Sequence, residues 1–126
     1  MSKFNALKEK SETFQGLETF DAPKHCTEVL FETKEIYSNC PVTGQPDFSS
    51  VVIKFIPDKL CVESKSLKLY LHSFANQGIF GEFLAEKIAQ DIMEAVQALS
   101  VTVTLIQGIR GGIQMTATST VVKDVL

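Results

Sequence analysis

Residues 80–107 read FGEFLAEKIAQDIMEAVQALSVTVTLIQ, and this stretch decides the fold. Its first part, residues 80–99, carries apolar side chains at intervals of three and four positions, the period of one face of an α-helix. That apolar stripe consists of Phe80, Phe83, Leu84, Ile88, Ile92, Met93 and Val96. Its last part, residues 101–107, alternates and is rich in β-branched residues, which is typical of a strand. The stretch therefore predicts an amphipathic helix followed by a strand.

Three more strands and a second helix are predicted on either side of this stretch. Alternating β-forming residues indicate strands at residues 26–37, 49–57 and 113–122. Residues 61–74 carry apolar side chains at helical spacing and predict a helix, or the end of a strand that passes into one. The order of two strands, helices and two strands favours an α+β fold with the helices on one face of the sheet.

The composition is that of a single globular domain. Of the 126 residues, 44 % are hydrophobic and 21 % are charged, which is ordinary for a folded domain. We expect residues 1–24 to form a polar N-terminal arm and residues 25–126 to form the domain. Because the core of so short a chain is modest, oligomerisation is a reasonable way to bury more apolar surface.

Charge and cysteine content exclude several classes of function. A net charge of -3 argues against broad nucleic-acid binding, which needs many Lys and Arg contacts, but not against a small anion held by a local basic patch. The cysteines at positions 26, 40 and 61 form no CxxC pair, so we expect no metal site. No apolar run resembles a signal peptide or a membrane span, so we expect a cytoplasmic protein with reduced thiols.

Residues 38–50, SNCPVTGQPDFSS, contain a cysteine and an aspartate separated by turn residues. Prolines and a glycine predict a shaped loop here, neither helix nor strand, that can double back and bring Cys40 to Asp47. A thiolate is a nucleophile, and a nearby carboxylate can move its proton. The alternative is a plain connection in which Cys40 is a small, inert, buried side chain.

Three cations and one acid are further candidates. Lys65 and Lys68 lie three positions apart, so on a helix they share a face that could bind phosphate together with Arg110 of the RGG turn. A solvated helix face and a plain turn are the alternatives. Glu82 stands at the predicted start of the long helix, where the helix dipole favours a carboxylate, and it could also accept two N–H groups of a purine-like base.

The chain contains three motifs in sequence order: CPVTGQPDF (40–48), VESKSLKLYLHSF (62–74) and RGGI (110–113). Together they resemble the motifs of the NADPH-dependent 7-cyano-7-deazaguanine nitrile reductases (QueF) of queuosine biosynthesis, in their unimodular type. The resemblance implies a tunnelling fold: a four-stranded antiparallel sheet with two helices on one face, assembling into a barrel ring. It further implies a homo-oligomer of pentameric rings, which can stack into a decamer, with active sites between subunits.

The resemblance also implies residue roles. Cys40 matches the nucleophile that adds to the nitrile carbon to form a thioimide, and Asp47 matches the proton-transfer residue beside it. Lys65, Lys68 and Arg110 match contacts to NADPH. The substrate is a small deazapurine, with no direct nucleic-acid partner expected.

Three residues of this chain are identified by the same resemblance as binding the substrate. These are Glu63, Ser64 and Glu82, of which Glu82 is expected to grip the deazaguanine edge. The chain departs from the family pattern at Gly81, where a histidine is common. By the same resemblance, the loss of this histidine removes a proton donor or a substrate contact from the reduction step.

Two other functions remain open at this point. A related amidinotransferase keeps the cysteine and the aspartate but attacks the thioimide with ammonia on a tRNA-borne substrate, and it lacks the lysine signature that ESKSLKLY retains. A deazapurine-binding module would capture the nitrile on Cys40 without turnover.

Overall fold

The computed structural model describes residues 13–124. Its strands and helices, in chain order, are β1 (Thr19–Asp21), β2 (Val29–Asn39), β3 (Pro46–Ile56), β4 (Leu60–Val62), α1 (Ser64–His72), α2 (Gly81–Val96), β5 (Ser100–Gln107) and β6 (Thr116–Val122). Within this part of the chain, no helix is long and apolar enough to cross a membrane.

The main sheet has four antiparallel strands, as predicted, and their order is β2-β3-β5-β6. β2 pairs with β3 and β5 pairs with β6 as two hairpins, and β3 pairs with β5 in the middle of the sheet. A separate two-stranded sheet joins β1 to β4, with Thr19 opposite Val62. Residues 1–12 of the predicted arm lie outside the described residues, whereas residues 19–21 are tied to the domain by this small sheet.

The core lies between one face of the sheet and helix α2. Leu84, Ile88 and Ile92 of α2 are at most 1 % exposed, and so are the inward residues Ile53 and Phe55 of β3. Full burial of one such side chain stabilises the fold by about 1.5–3 kcal/mol. The predicted apolar stripe is therefore confirmed for its central positions.

Two aromatic residues of that stripe do not reach the core. Phe80 is 48 % exposed and Phe83 is 62 % exposed. Phe80 has extended backbone and precedes the first turn of α2 as its N-cap. Phe83 is one residue, and so about 100° around the helix, from the buried row that begins at Leu84. The prediction that both belong to the buried stripe was wrong.

The loop that contains the cysteine is shorter than predicted. β2 continues to Asn39 and β3 begins at Pro46, so only residues 40–45 connect them. The prediction that all of residues 38–50 form a loop was wrong because a proline is tolerated as the first residue of a strand. Asp47 is therefore a strand residue, and it continues the inward row of Val51 and Ile53.

Candidate active site

The loop after β2 folds back on itself around Cys40. The Cys40 N–H donates to the Gln45 carbonyl at 2.8 Å, and the Gly44 N–H donates to the Cys40 carbonyl at 2.8 Å. Gly44 has a φ of +72°, a left-handed conformation that glycine adopts without strain. These contacts produce the doubling-back that the sequence predicted.

The half-buried Cys40 thiol is surrounded by hydrogen-bond donors. The Thr43 hydroxyl, followed by the backbone N–H groups of Thr43 and Val42, stabilises the thiolate and lowers the pKa of the Cys40 thiol to about 7, and Arg110 contributes less. At neutral pH about half of such a thiol is thiolate, the nucleophilic form. Sequence reasoning missed Thr43, although a hydroxyl three residues after a cysteine in a turn is well placed to bond back to it.

Asp47 lies at the same end of the sheet with its side chain turned inward. It is 3 % exposed and stands opposite Ser38 in the register of β2 and β3. The Arg110 guanidinium donates from Nη1 to Asp47 Oδ1. The structure thus brings together the three predicted residues Cys40, Asp47 and Arg110.

The sequence analysis did not predict that Arg110 forms an ion pair with Asp47. Its contact with Asp47 joins the turn after β5 to the start of β3. The Arg110 side chain remains 41 % exposed. It can therefore hold the Asp47 side chain in place and still present part of its guanidinium to a ligand.

The inner face of the sheet becomes polar at this end. Ser38 and Ser49 are buried beside Asp47, and Gln107 lies opposite Ser49 on β5. The strand alternation that buries valine and isoleucine further along thus buries serine hydroxyl groups here and places a half-buried amide beside them. Sequence reasoning missed these three residues, although inward positions occupied by polar residues are visible in the alternation. A few convergent polar groups next to an apolar core are typical of a small-molecule site.

A short segment connects this end to the start of α2. The Asn39 N–H donates to the Gln77 carbonyl at 2.8 Å, and the Ile79 N–H donates to the Asn39 carbonyl at 3.1 Å. Residues 77–79 therefore lie along the strand end that precedes Cys40. The segment leads directly to Glu82, which is exposed in the first turn of α2. A carboxylate there is favoured by the helix dipole and can face a ligand.

Glu63, predicted to bind substrate, has a structural partner in this fold. It is the N-cap of α1, and its Oε2 and Oε1 accept the N–H groups of Lys65 and Ser66, each at 2.7 Å. The side chain is buried, with 8 % of the residue exposed. A carboxylate has about four acceptor positions, so the cap leaves some of them for a ligand.

The two lysines of α1 lie in a different region from Cys40. Lys68 and Ser64 line a cavity of about 150 Å³ between α1 and strands β2 and β3. The same cavity is lined by Thr33 of β2. Thr33 precedes Cys40 by seven residues, which is roughly 20 Å along a strand. Within one chain, the structure does not bring the lysines to the cysteine.

Residues 46–124 match the sequence profile of the family described as "QueF-like protein". The chain belongs to this family. A 7-cyano-7-deazaguanine reductase of Syntrophus aciditrophicus, named as NADPH-dependent, is 42 % identical over 118 residues, which cover 92 % of this chain and 84 % of that protein. A protein of the same name from Frankia casuarinae is 41 % identical, covering 84 % of this chain and 85 % of that protein.

A solved structure agrees with the QueF-like fold. The apo archaeosine synthase described as QueF-Like has a TM-score of 0.72 to this structure, covering 77 % of this chain and 95 % of that chain. Its sequence identity is 23 %, so the likeness concerns the fold alone. It confirms the predicted arrangement of a four-stranded antiparallel sheet with two helices.

Proposed function

We propose that this chain is an NADPH-dependent 7-cyano-7-deazaguanine reductase that converts the nitrile to the aminomethyl group, a step of queuosine tRNA modification. The observation that carries the proposal is that Arg110 contacts both the Cys40 thiol, whose pKa is lowered to about 7, and the Asp47 carboxylate. Relatives of that name align with most of the chain, which supports the same activity.

Cys40 performs the first step in this proposal. Its sulfur forms a bond to the nitrile carbon, and one π pair of the C≡N bond moves to nitrogen. Asp47 accepts the thiol proton and passes it to that nitrogen, so the product is a neutral thioimide. The Arg110 guanidinium positions the Asp47 carboxylate during this transfer.

Reduction of the thioimide to an amine requires four electrons, which two NADPH would supply as two hydrides, and it breaks the C–S bond so that the Cys40 thiol is released. Lys65 and Lys68 of α1, with Arg110, would hold the phosphates of the dinucleotide. Their side chains fit that purpose because Lys68 and Arg110 are exposed cations and Lys68 borders a cavity with the Ser64 hydroxyl. Glu63, Ser64 and Glu82 would bind the deazapurine through its N–H edge.

A homo-oligomer with sites between subunits would join the two regions. The proposed assembly is a pentameric ring that can stack into a decamer in the cytoplasm. Within the described residues, β2 and β6 each have one unpaired edge. Tyr37 and Phe48, in edge-to-face contact at 5.3 Å between ring centroids, are exposed on the outer face of the sheet. Unpaired edges and exposed aromatic residues favour pairing with a second copy.

The test is to mix the protein with 7-cyano-7-deazaguanine and then add NADPH. The thioimide is expected to give a near-ultraviolet absorbance band, and NADPH is expected to be consumed at two per product. No band would contradict the role of Cys40. A band without NADPH consumption would contradict the reductase and favour an amidinotransferase or a binding module.

A further inference from the structure

Gly81, the first residue of α2, has no room for a side chain. A Cβ atom built there would lie 2.3 Å from Met115 Cε, 3.2 Å from Leu105 Cδ2 and 3.9 Å from Gln107 Nε2. The first of these separations is far shorter than any ordinary contact between carbon atoms. The methyl group of Met115 therefore occupies the space that a side chain on residue 81 would fill.

The backbone holds Met115 in this position. The Gln107 N–H donates to the Met115 carbonyl at 2.9 Å, which fixes Met115 opposite the end of β5. Met115 is half-buried and packs against the core, whereas Leu105 is 0 % exposed and enclosed. A methionine side chain is unbranched and fills irregular gaps, so the Met115 methyl is the movable side of this contact and Leu105 is the fixed one.

The contact lies at the polar end of the sheet's inner face. Gln107, which is close to the missing Cβ of Gly81, stands opposite Ser49, two residues from Asp47 on the same face. On the helix side, the residue after Gly81 is Glu82. The Met115 methyl thus lies between the first residue of α2 and the polar end of the sheet's inner face.

We propose that Gly81 and Met115 form a size-matched pair that makes the apolar end wall of the deazapurine pocket, with Met115 as a specificity-determining residue. This inference rests on the proposed function. The Met115 thioether limits how deeply the flat heterocycle enters beside Glu82. It also occupies the space of a side chain on residue 81, so residue 81 can enlarge only when the Met115 side chain moves away or becomes smaller.

The first experiment tests the size coupling between Gly81 and Met115 by thermal stability and needs no activity measurement. Gly81→Ala, Met115→Ala and the double variant are compared by thermal unfolding. Because Gly81→Ala must displace the Met115 methyl, it is expected to lower the Tm by about 2–4 °C more in the wild-type background than when Met115 is already alanine. An equal loss in both backgrounds would overturn the size coupling.

Two matched controls accompany this cycle. Gly78→Ala adds the same methyl group where the nearest atom, Pro41 Cα, is at an ordinary 3.5 Å. Met93→Ala removes the same side chain from another half-buried methionine, which packs against the core from α2. Met93→Ala is expected to leave the cost of Gly81→Ala unchanged, and relief by Met93→Ala would show general loosening instead of a specific pair.

The second experiment tests whether Met115 forms the end wall of the deazapurine pocket. The 7-cyano-7-deazaguanine concentration that gives half of the thioimide absorbance is compared between the wild type, Met115→Ala and Met93→Ala. Loss of the wall is expected to raise it about tenfold in Met115→Ala alone. If the wild type forms the adduct and Met115→Ala reaches half of the thioimide absorbance at the same substrate concentration, this inference is overturned. A wild type that forms no adduct would overturn the proposed function and the wall with it, whereas the Tm cycle would still decide the size coupling.

Discussion

The Cys40 end of the sheet and helix α1 are assigned to the same reaction, but they are built in different ways. Asp47 and Arg110 meet across 63 positions of sequence, through the pairing of two hairpins. In α1, the cap by Glu63 and the two lysines all lie within one short segment. The cysteine end therefore depends on the topology of the sheet, whereas α1 depends on local spacing. Changes in the two regions should consequently affect different steps.

The largest effect is expected at the cysteine. Cys40→Ala should abolish both the thioimide band and NADPH consumption, because the only sulfur on this loop is removed. The other two cysteines are elsewhere in the fold: Cys61 is buried in β4, and Cys26 precedes β2. Cys26→Ala is the matched control and should retain the band. An adduct that survives Cys40→Ala and disappears in Cys26→Ala would show that Cys26 is the nucleophile.

Asp47→Asn is expected to lower turnover by about 10²–10⁴-fold, since an amide cannot carry the thiol proton. The fold should persist, because asparagine matches the size of aspartate and the partly exposed Arg110 can turn to solvent. Turnover measured beside a thermal unfolding curve separates the two effects. A rate that stays at the wild-type level would contradict proton transfer through Asp47.

The same contrast separates what could be predicted from sequence and what could not. The buried positions of α2 follow a period of 3.6, and the strands follow a period of two, so both were within reach of local patterns. The pairing of Asp47 with Arg110 was not, because it depends on which strands become neighbours. The exposure of Phe80 at the N-cap of α2 and the short loop at residues 40–45 were also missed. Each is set by where an element starts, and local patterns fix such boundaries least well.

The lysines of α1 should act on cofactor binding without affecting the adduct. Lys65→Ala combined with Lys68→Ala is expected to raise the KM for NADPH about tenfold, the scale of losing charge-assisted phosphate contacts. The thioimide band should keep its wild-type amplitude because Cys40 is in the other region. Lys59→Ala with Lys54→Ala removes the same charge from β3 and the turn before β4 and serves as the control. A flat NADPH dependence in the α1 variant would contradict the phosphate assignment.

The smallest effect is expected when the single hydrogen bond from the Thr43 hydroxyl to the Cys40 thiol is removed. The Thr43 hydroxyl is the main reason why the pKa of the Cys40 thiol is lowered to about 7. Thr43→Val keeps the shape but removes the donor, so the thiol pKa should rise and less thiolate should be present at neutral pH. Adduct formation increases with pH as the thiol ionises. The midpoint of that rise should therefore move to higher pH, with a several-fold slower rate near pH 7 and an unchanged plateau in alkali.

Thr27→Val is the control, since Thr27 is exposed ahead of β2 and the loss of its hydroxyl should leave the midpoint in place. If Thr43→Val lowered the alkaline plateau and left the midpoint unchanged, the hydroxyl would act on the bound substrate instead of the thiol. The acidity of Cys40 would then rest on the backbone N–H groups of Val42 and Thr43, which no side-chain change removes. The loop's conformation, more than its composition, would in that case make the cysteine reactive.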